Sequence, residues 1–233
     1  MAVNPVLFTP QLENQAVAQT PSAWCESRGK RLFDLIGASV LLACLAPVML
    51  IVAIAVKLSS AGPVMFKHKR CGKGGQCFDV LKFRTMSHNG SGPSVTRSGD
   101  ARVTGIGRIL RKWKIDEFPQ LINVIRGEMS LVGPRPDVAE FFEKASPEAR
   151  RVLAVRPGIT GWASVSFRNE EELLAGIPAE KLQEFYVEVI LPHKAELDLE
   201  YAARASFLSD CGVLVRTLTS VLRPKPSVVP VRK

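Results

Sequence analysis

The longest feature of the hydrophobic pattern is an apolar run near the start of the chain. It extends from Leu35 to Val56, 22 residues without a charged side chain, between Asp34 and Lys57. Runs of this length and composition are typical of membrane segments. A cleaved signal peptide is not expected, because 34 mostly polar residues precede the run.

Two features of the apolar run bear on its topology. Both flanks are basic, and the positive-inside rule therefore places both ends in the cytoplasm. Pro47, near the middle, removes an amide donor and predicts a bend, which leaves two arms that are each too short to cross the bilayer. We therefore predict a re-entrant membrane hairpin over residues 28–58. The alternatives are a kinked single span and, less well matched to a run without a polar face, a buried core helix.

Shorter patterns follow the apolar run. Pro63 to Arg70 and Gln76 to Phe83 have the composition of strands and are joined by a glycine-rich turn, which predicts a β-hairpin. Helical periodicity dominates afterwards. A stripe of apolar residues with basic residues between them predicts an amphipathic helix that either lies on an anionic membrane surface or packs on the core. The residues of this stripe are Ile106, Ile109, Leu110 and Trp113.

These patterns together predict an α+β fold that is mostly helical. A re-entrant helix-break-helix precedes a cytoplasmic domain over residues 59–222, which contains a small β-hairpin and amphipathic interfacial helices. Residues 1–27 lack periodicity and are predicted to be a disordered tail. Residues 223–233 are predicted to be a basic tail.

Composition and charge narrow the class of partner. The chain has 233 residues, 46% hydrophobic and 23% charged, with a formal net charge of +9, which excludes disorder throughout and favours an anionic partner. Nucleic acid is not expected, because basic and aromatic residues are not interleaved as in single-strand binders. The five cysteines are scattered and odd in number, which is typical of free thiols in a reducing compartment.

An acidic pair stands at the predicted start of a helix. Asp116 and Glu117 come just before Pro119, and an apolar helical stretch follows. Acidic residues at this position can simply cap a helix and complement its dipole. The pair alone therefore does not decide between a structural role and a catalytic one.

Several longer motifs surround this pair, and together they identify a resemblance. They are Lys30–Asp34, Lys82–Met86, Asp116–Gln120, Gly127–Pro136, Arg156–Ala163 and Glu196–Asp198. In this order they resemble the bacterial sugar transferases, the monotopic polyprenyl-phosphate phosphoglycosyl transferases, in their short form. The resemblance covers roughly residues 29–222. It departs at Ser164–Asn169, and the interval from Asn169 to Asp198 is longer than in the smallest members.

The resemblance implies a reaction and a site. A sugar-1-phosphate would pass from a UDP-sugar to undecaprenyl phosphate, giving undecaprenyl-diphosphate-sugar and UMP. Asp116 would attack the sugar-bearing phosphate to form a covalent aspartyl-phosphosugar. Glu117 would help to bind Mg²⁺, the implied cofactor. The setting would be the cytoplasmic face of a bacterial inner membrane, at the first membrane step of exopolysaccharide, capsule, O-antigen or glycoconjugate synthesis.

Further charged residues are candidates for binding the substrates. Guanidinium groups match phosphate oxygens, so Arg84, Arg111 and Arg135 are candidate phosphate contacts, although each of them can instead have a structural role. Asp198 is a candidate for supporting the metal or nucleotide site, or is a surface carboxylate. Lys30 and Arg31 are expected at the membrane interface, where they would hold the lipid phosphate or simply anchor the segment.

Some alternatives stay open at this stage. A catalytically silent, membrane-anchored binding or regulatory protein of the same fold is the rival to an enzyme, and it predicts a damaged acid pair. The donor sugar is either a hexose or an N-acetylated amino sugar. Membrane lipids are expected partners, and the sequence leaves homo-oligomer formation open.

Overall fold

The computed structural model describes residues 20–87 and 100–222. Helices dominate this part of the chain, as predicted, and two small sheets accompany them. The strands are β1 (Met65–Cys71), β2 (Cys77–Phe83), β3 (Ser130–Val132) and β4 (Gly158–Thr160). The α-helices are α1 (Ala23–Glu26), α2 (Arg28–Ser59), α3 (Gly105–Lys112), α4 (Gln120–Arg126), α5 (Ala139–Lys144), α6 (Pro147–Arg150), α7 (Trp162–Ser166), α8 (Glu170–Leu173), α9 (Leu182–Phe185), α10 (Leu191–Arg204) and α11 (Phe207–Leu222).

The apolar run forms α2, which is long and apolar enough to cross a membrane by its length and composition. The predicted interruption of the helix is wrong, because α2 continues from Arg28 to Ser59 with Pro47 inside it; the bend at Pro47 stays a prediction. Proline removes one amide donor but leaves the other turns of a long helix intact, so a helix can continue through it. One stripe of α2 packs on the domain, and its other faces are exposed and apolar.

The predicted β-hairpin is confirmed. Strands β1 and β2 pair in antiparallel register from Met65 opposite Phe83 to Cys71 opposite Cys77. The turn between them contains Gly74 and Gly75, both with positive φ, a conformation that glycine adopts without steric cost. Side chains alternate between the two faces of a strand, so His68, Arg70 and Lys82 share one face of this hairpin.

A second, parallel pair of strands joins two distant motifs. Ser130 lies opposite Gly158 and Val132 opposite Thr160. A Cβ atom at Gly158 would collide with the backbone of Gly133, so this close approach requires glycine. Strands of three residues carry too little periodicity to be predicted from the sequence.

Three apolar clusters hold these elements together. The first packs α5 against α9 and α10, the second packs α4 and β3 against the first half of α2, and the third packs the second half of α2 against β2 and α3. Helix α2 is therefore in contact with the folded domain along both of its halves.

The N-terminal part of the chain differs from the prediction. Residues 1–19 and 223–233 lie outside the described residues. The tail predicted over residues 1–27 is wrong for Ala23–Glu26, which form α1. Trp24 fixes this helix, because its indole donates a hydrogen bond to Asp210 (2.9 Å) and its ring contacts Phe207 edge-on.

The predicted amphipathic helices are present. In α3, Leu110 is buried whereas Ile109 is exposed, as is Trp113 at its C-terminal end. In α11, Val213 is buried, and an apolar stripe made of Leu208, Val215, Leu218 and Leu222 is exposed. Exposed apolar stripes beside an apolar helix such as α2 are typical of surfaces that contact a bilayer.

Candidate active site

Asp116 and Glu117 lie in a short 3₁₀ turn, Ile115–Glu117, between α3 and α4. Lys114, just before the turn, has a φ of 57°, the one positive value outside glycine among the described residues. Such backbone geometry is uncommon for lysine and reverses the chain sharply. Both acidic side chains are buried as a result, rather than exposed as simple helix caps would be.

Glu117 is held by two cations from different elements. Lys82 of β2 donates to its Oε1 atom (2.9 Å), and Arg135 donates to the same oxygen (2.6 Å) and, at 3.4 Å, to Oε2. Burial alone would raise the pKa of Glu117, but Arg135 and Lys82 hold it well below its ordinary value. Glu117 is therefore ionised and fixed in orientation.

Asp116 is placed differently. Its Oδ1 atom is buried and has no hydrogen-bond partner. The pKa of Asp116 is raised above its ordinary value by burial and by the neighbouring Glu117. The charges of Lys82, Lys114 and Arg111 oppose this shift. A carboxylate oxygen without hydrogen-bond donors is poorly stabilised, which makes it a better nucleophile or ligand than a solvated one.

Asp198 supports the segment that carries Arg135. It is buried on α10 and accepts a hydrogen bond from the amide of Ala163 (3.2 Å). Burial raises the pKa of Asp198 to about 7, although hydrogen bonds from the backbone of Ala163 and Arg135 oppose this shift. The structure thus places Asp198 behind Arg135, and not in contact with Glu117.

Two further ion pairs connect basic residues to the glutamates at the start of α8. Arg111 of α3 donates to Glu171 of α8 (2.6 Å), and the buried Lys194 donates to Glu170 (2.9 Å). Lys194 also donates to the hydroxyl of Tyr186 (2.8 Å). The charge of Arg111 acts on Asp116, and its guanidinium has a carboxylate partner in this structure.

Tyr186 also belongs to a buried hydrogen-bond network around the carboxylate of Asp137. The hydroxyl of Tyr186 donates to Asp137 at 3.1 Å, and Arg70 of β1 forms a longer contact with it at 3.4 Å. Arg70 also contacts Nδ1 of His68 (3.1 Å). A guanidinium can only donate, so this nitrogen accepts and the imidazole is neutral. Burial and the charges of Arg70 and Lys82 lower the pKa of His68 to about 4, in agreement with that state.

Arg84 lies away from the acidic pair. Its guanidinium donates to the carbonyls of Val56, Ser60 and Pro63 and to the Ser60 hydroxyl. These carbonyls belong to the C-terminal end of α2 and the loop after it, where orphan acceptors and the helix dipole favour a cation. The contacts give Arg84 a structural role and leave it out of the candidate phosphate site.

Lys30 and Arg31 also make structural contacts. Lys30 is buried and donates to Asp210 (2.7 Å) and to the carbonyl of Val132 (3.1 Å). Arg31 donates to the carbonyls of Val124 (2.6 Å) and Ile125 (2.8 Å) near the end of α4. Both side chains fasten α2 to the domain, which differs from the expectation that they are free to hold a lipid phosphate.

The acidic pair is compatible with a magnesium ion that is bound mainly through substrate. Among residues 20–87 and 100–222, no three metal-ligating side chains are grouped closely enough to form an all-protein site. Mg²⁺ commonly uses one or two carboxylates together with waters and substrate phosphates. Asp116 Oδ1 has no partner, and Glu117 Oε2 has only the long contact with Arg135, so both oxygens fit this role.

The structure adds site residues that the sequence analysis did not single out. Lys82 stands in one of the quoted motifs, and its position on a strand that ends near the acidic pair is the signal that could have identified it. Unpartnered polar atoms also occur in Ser164–Asn169, the segment that departs from the resemblance. There the Ser164 hydroxyl and one Arg168 guanidinium nitrogen are buried without hydrogen-bond partners, which is unusual in a folded protein and typical of groups that meet a ligand.

Comparison with known proteins assigns this arrangement to a family. The bacterial sugar transferase model matches residues 25–224. A UDP-glucose:undecaprenyl-phosphate glucose-1-phosphate transferase of Caulobacter vibrioides is 39% identical over 199 residues, covering 83% of this chain and 69% of the relative. The exopolysaccharide production protein ExoY of Sinorhizobium fredii is 37% identical over 209 residues, 82% of this chain and 84% of the relative.

A relative with a different sugar in its name matches a shorter stretch. It is a UDP-N-acetylgalactosamine-undecaprenyl-phosphate N-acetylgalactosaminephosphotransferase of Aeromonas hydrophila, 44% identical over 141 residues, which cover 58% of this chain and 33% of the relative. The family match spans α2, the β-hairpin and the acidic pair together. This chain therefore belongs to the bacterial sugar transferases, enzymes of the undecaprenyl-phosphate sugar phosphotransferase class.

Proposed function

We propose that this protein transfers a sugar-1-phosphate from a UDP-sugar to undecaprenyl phosphate through a covalent intermediate on Asp116. The observation that carries the proposal is the contrast within the acidic pair. Glu117 is fixed by Lys82 and Arg135, whereas Asp116 presents a buried oxygen without a partner. Two adjacent carboxylates with different environments are suited to different tasks.

The first half-reaction forms a bond between an Asp116 oxygen and the phosphorus that carries the sugar. The bond from that phosphorus to the bridging oxygen breaks, and UMP leaves with the oxygen. In the second half-reaction a phosphate oxygen of undecaprenyl phosphate attacks the same phosphorus, which releases the Asp116 carboxylate and gives undecaprenyl-diphosphate-sugar. Neither half-reaction requires a proton to be gained or lost.

The basic residues around the pair would stabilise the charge of the phosphates. Arg111 and Lys114 lower the pKa of Asp116 through their charges, so they lie close enough to act on an anion at that carboxylate. Lys82 and Arg135, which hold Glu117, add two more positive charges beside the pair. When bound, Mg²⁺ would neutralise charge on the diphosphate, with Asp116 and Glu117 as its protein ligands.

We further propose that α2 bends at Pro47 without interrupting the helix, so that it enters and leaves the membrane on the same side and keeps the domain at the cytoplasmic face of the inner membrane. Near one end of α2, Lys30 is bonded to Asp210, and near the other end the carbonyl of Val56 accepts from Arg84. Without a bend, a helix of this length would place these two positions about 39 Å apart, which is more than the thickness of the bilayer core. If the two ends of α2 lay on opposite sides of a bilayer, one folded domain could not contact both of them. These contacts therefore support a topology in which both ends of α2 are on the same side of the membrane.

Release of UMP by the detergent-solubilised protein tests the reaction. The assay contains Mg²⁺, undecaprenyl phosphate and a panel of UDP-sugars that includes hexose and N-acetylated amino sugar donors, because relatives named for both kinds match. We expect release with one donor and its loss in Asp116→Asn. Asp79→Asn, on the opposite face of β2 from Lys82, is the control and should retain activity. No release with any donor would contradict the proposal and favour a catalytically silent anchor.

A further inference from the structure

An acidic helix borders a site that is proposed to bind an anionic donor. Helix α8 begins with Glu170, Glu171 and Glu172. The carboxylate of Glu171 lies 2.6 Å from a guanidinium nitrogen of Arg111, one of the cations that act on Asp116. A carboxylate at this position repels incoming phosphates and occupies a cation that they would use.

The first two glutamates of α8 are held differently. Glu170 pairs with Lys194, whose side chain is only 4% exposed, so this residue fixes the start of α8 to the core. The side chain of Glu171 is 42% exposed, and a partly solvated ion pair is weak enough to exchange partners. The Arg111–Glu171 pair can therefore open while the helix stays in place.

We propose that Glu171 competes with substrate phosphates for Arg111 and so sets the affinity for the donor and for the product UMP. The donor diphosphate replaces the carboxylate on Arg111, and Glu171 returns to Arg111 when UMP leaves. This inference rests on the proposed function, since it assumes that UMP occupies this site.

Binding of UMP to the detergent-solubilised full chain tests the inference by titration calorimetry at constant Mg²⁺. In Glu171→Gln the amide keeps the shape of the side chain and removes its charge. We expect UMP to bind about two- to fivefold more tightly, the range that corresponds to loss of a partly exposed ion pair. Glu172→Gln is the matched control, because this neighbouring carboxylate is bonded to Asn169 and not to Arg111. Its affinity for UMP should equal that of the wild type.

Two results would overturn the inference. Unchanged affinity in Glu171→Gln would show that Glu171 does not compete, and weaker binding would show that it positions Arg111 for phosphate. A second variant, Glu171→Ala, guards against an effect specific to glutamine and should also bind UMP more tightly.

Turnover, measured in parallel, separates this inference from the proposed function. Tighter UMP binding without turnover of any UDP-sugar would support competition by Glu171 and contradict the reaction. Turnover with unchanged UMP affinity would support the reaction and contradict the competition.

Discussion

Replacing Arg84 by lysine tests whether this buried arginine holds the fold or binds phosphate. Its guanidinium donates to three carbonyls and one hydroxyl around the end of α2, and the residue is 5% exposed. A lysine ammonium is a compact group that cannot span acceptors arranged around a planar fork. We expect Arg84→Lys to keep about half of these hydrogen bonds.

The structure sets the magnitude of this effect. A hydrogen bond to a charged donor contributes about 1.5–3 kcal/mol, so the loss of two bonds lowers the free energy of unfolding by about 3–6 kcal/mol. In a chain of this size the melting temperature should fall by roughly 10 °C. The Michaelis constant for the UDP-sugar should stay unchanged, because Arg84 does not contact the acidic pair.

Two measurements on the same preparation check this prediction. Tryptophan fluorescence on heating reports unfolding, and UMP release at varied donor concentration reports the Michaelis constant below the melting range. Arg126→Lys is the control, since Arg126 is exposed at the end of α4. An unchanged melting temperature together with a raised Michaelis constant would refute the structural role and restore Arg84 to the phosphate site.

Three further predictions concern other contacts. Burial raises the pKa of Asp198 to about 7, so the folded protein binds this proton more tightly than the unfolded chain does. The melting temperature of the wild type should therefore fall relative to that of Asp198→Asn between about pH 5 and about pH 8. Parallel curves of melting temperature against pH would contradict this. Lys30→Met leaves Asp210 without its cation and should cost about 3–5 kcal/mol in chemical denaturation, whereas a loss below about 1 kcal/mol would argue against a buried pair. Pro47→Ala should move a cysteine placed at Ser60 from the cytoplasmic toward the periplasmic side in labelling experiments, and an unchanged labelling pattern would show that proline does not set the topology.

Much of the fold follows from patterns that are local in sequence. The apolar run, the β-hairpin and the amphipathic helices are each specified by spacing or by a glycine-rich turn, and all three are present in the structure. The unbroken course of α2 through Pro47 was not predicted, because one missing amide does not outweigh the remaining hydrogen bonds of a long helix. The parallel pairing of β3 with β4 depends on contacts between residues that are far apart in the chain.

The roles of the site residues also depend on contacts between residues that are far apart in the chain. Asp116, Glu117 and Arg135 could be selected from motifs, and the structure brings them together. Residue type alone does not distinguish an arginine that contacts phosphate from one that binds helix carbonyls, and the contacts of Arg84 are of the second kind. Lys82 was missed because its role depends on which face of a hairpin meets the acidic turn.

Intact-protein mass spectrometry identifies the nucleophile by the residue that carries the phosphosugar. The protein is mixed with the active UDP-sugar and Mg²⁺ without undecaprenyl phosphate, and its mass and the UMP released are measured together. We expect a mass increase of one phosphosugar group, released UMP up to one equivalent, and a modified peptide in which the group is on Asp116. A mass increase on Glu117, or UMP release that requires the acceptor and leaves the protein unmodified, would contradict Asp116 as the nucleophile.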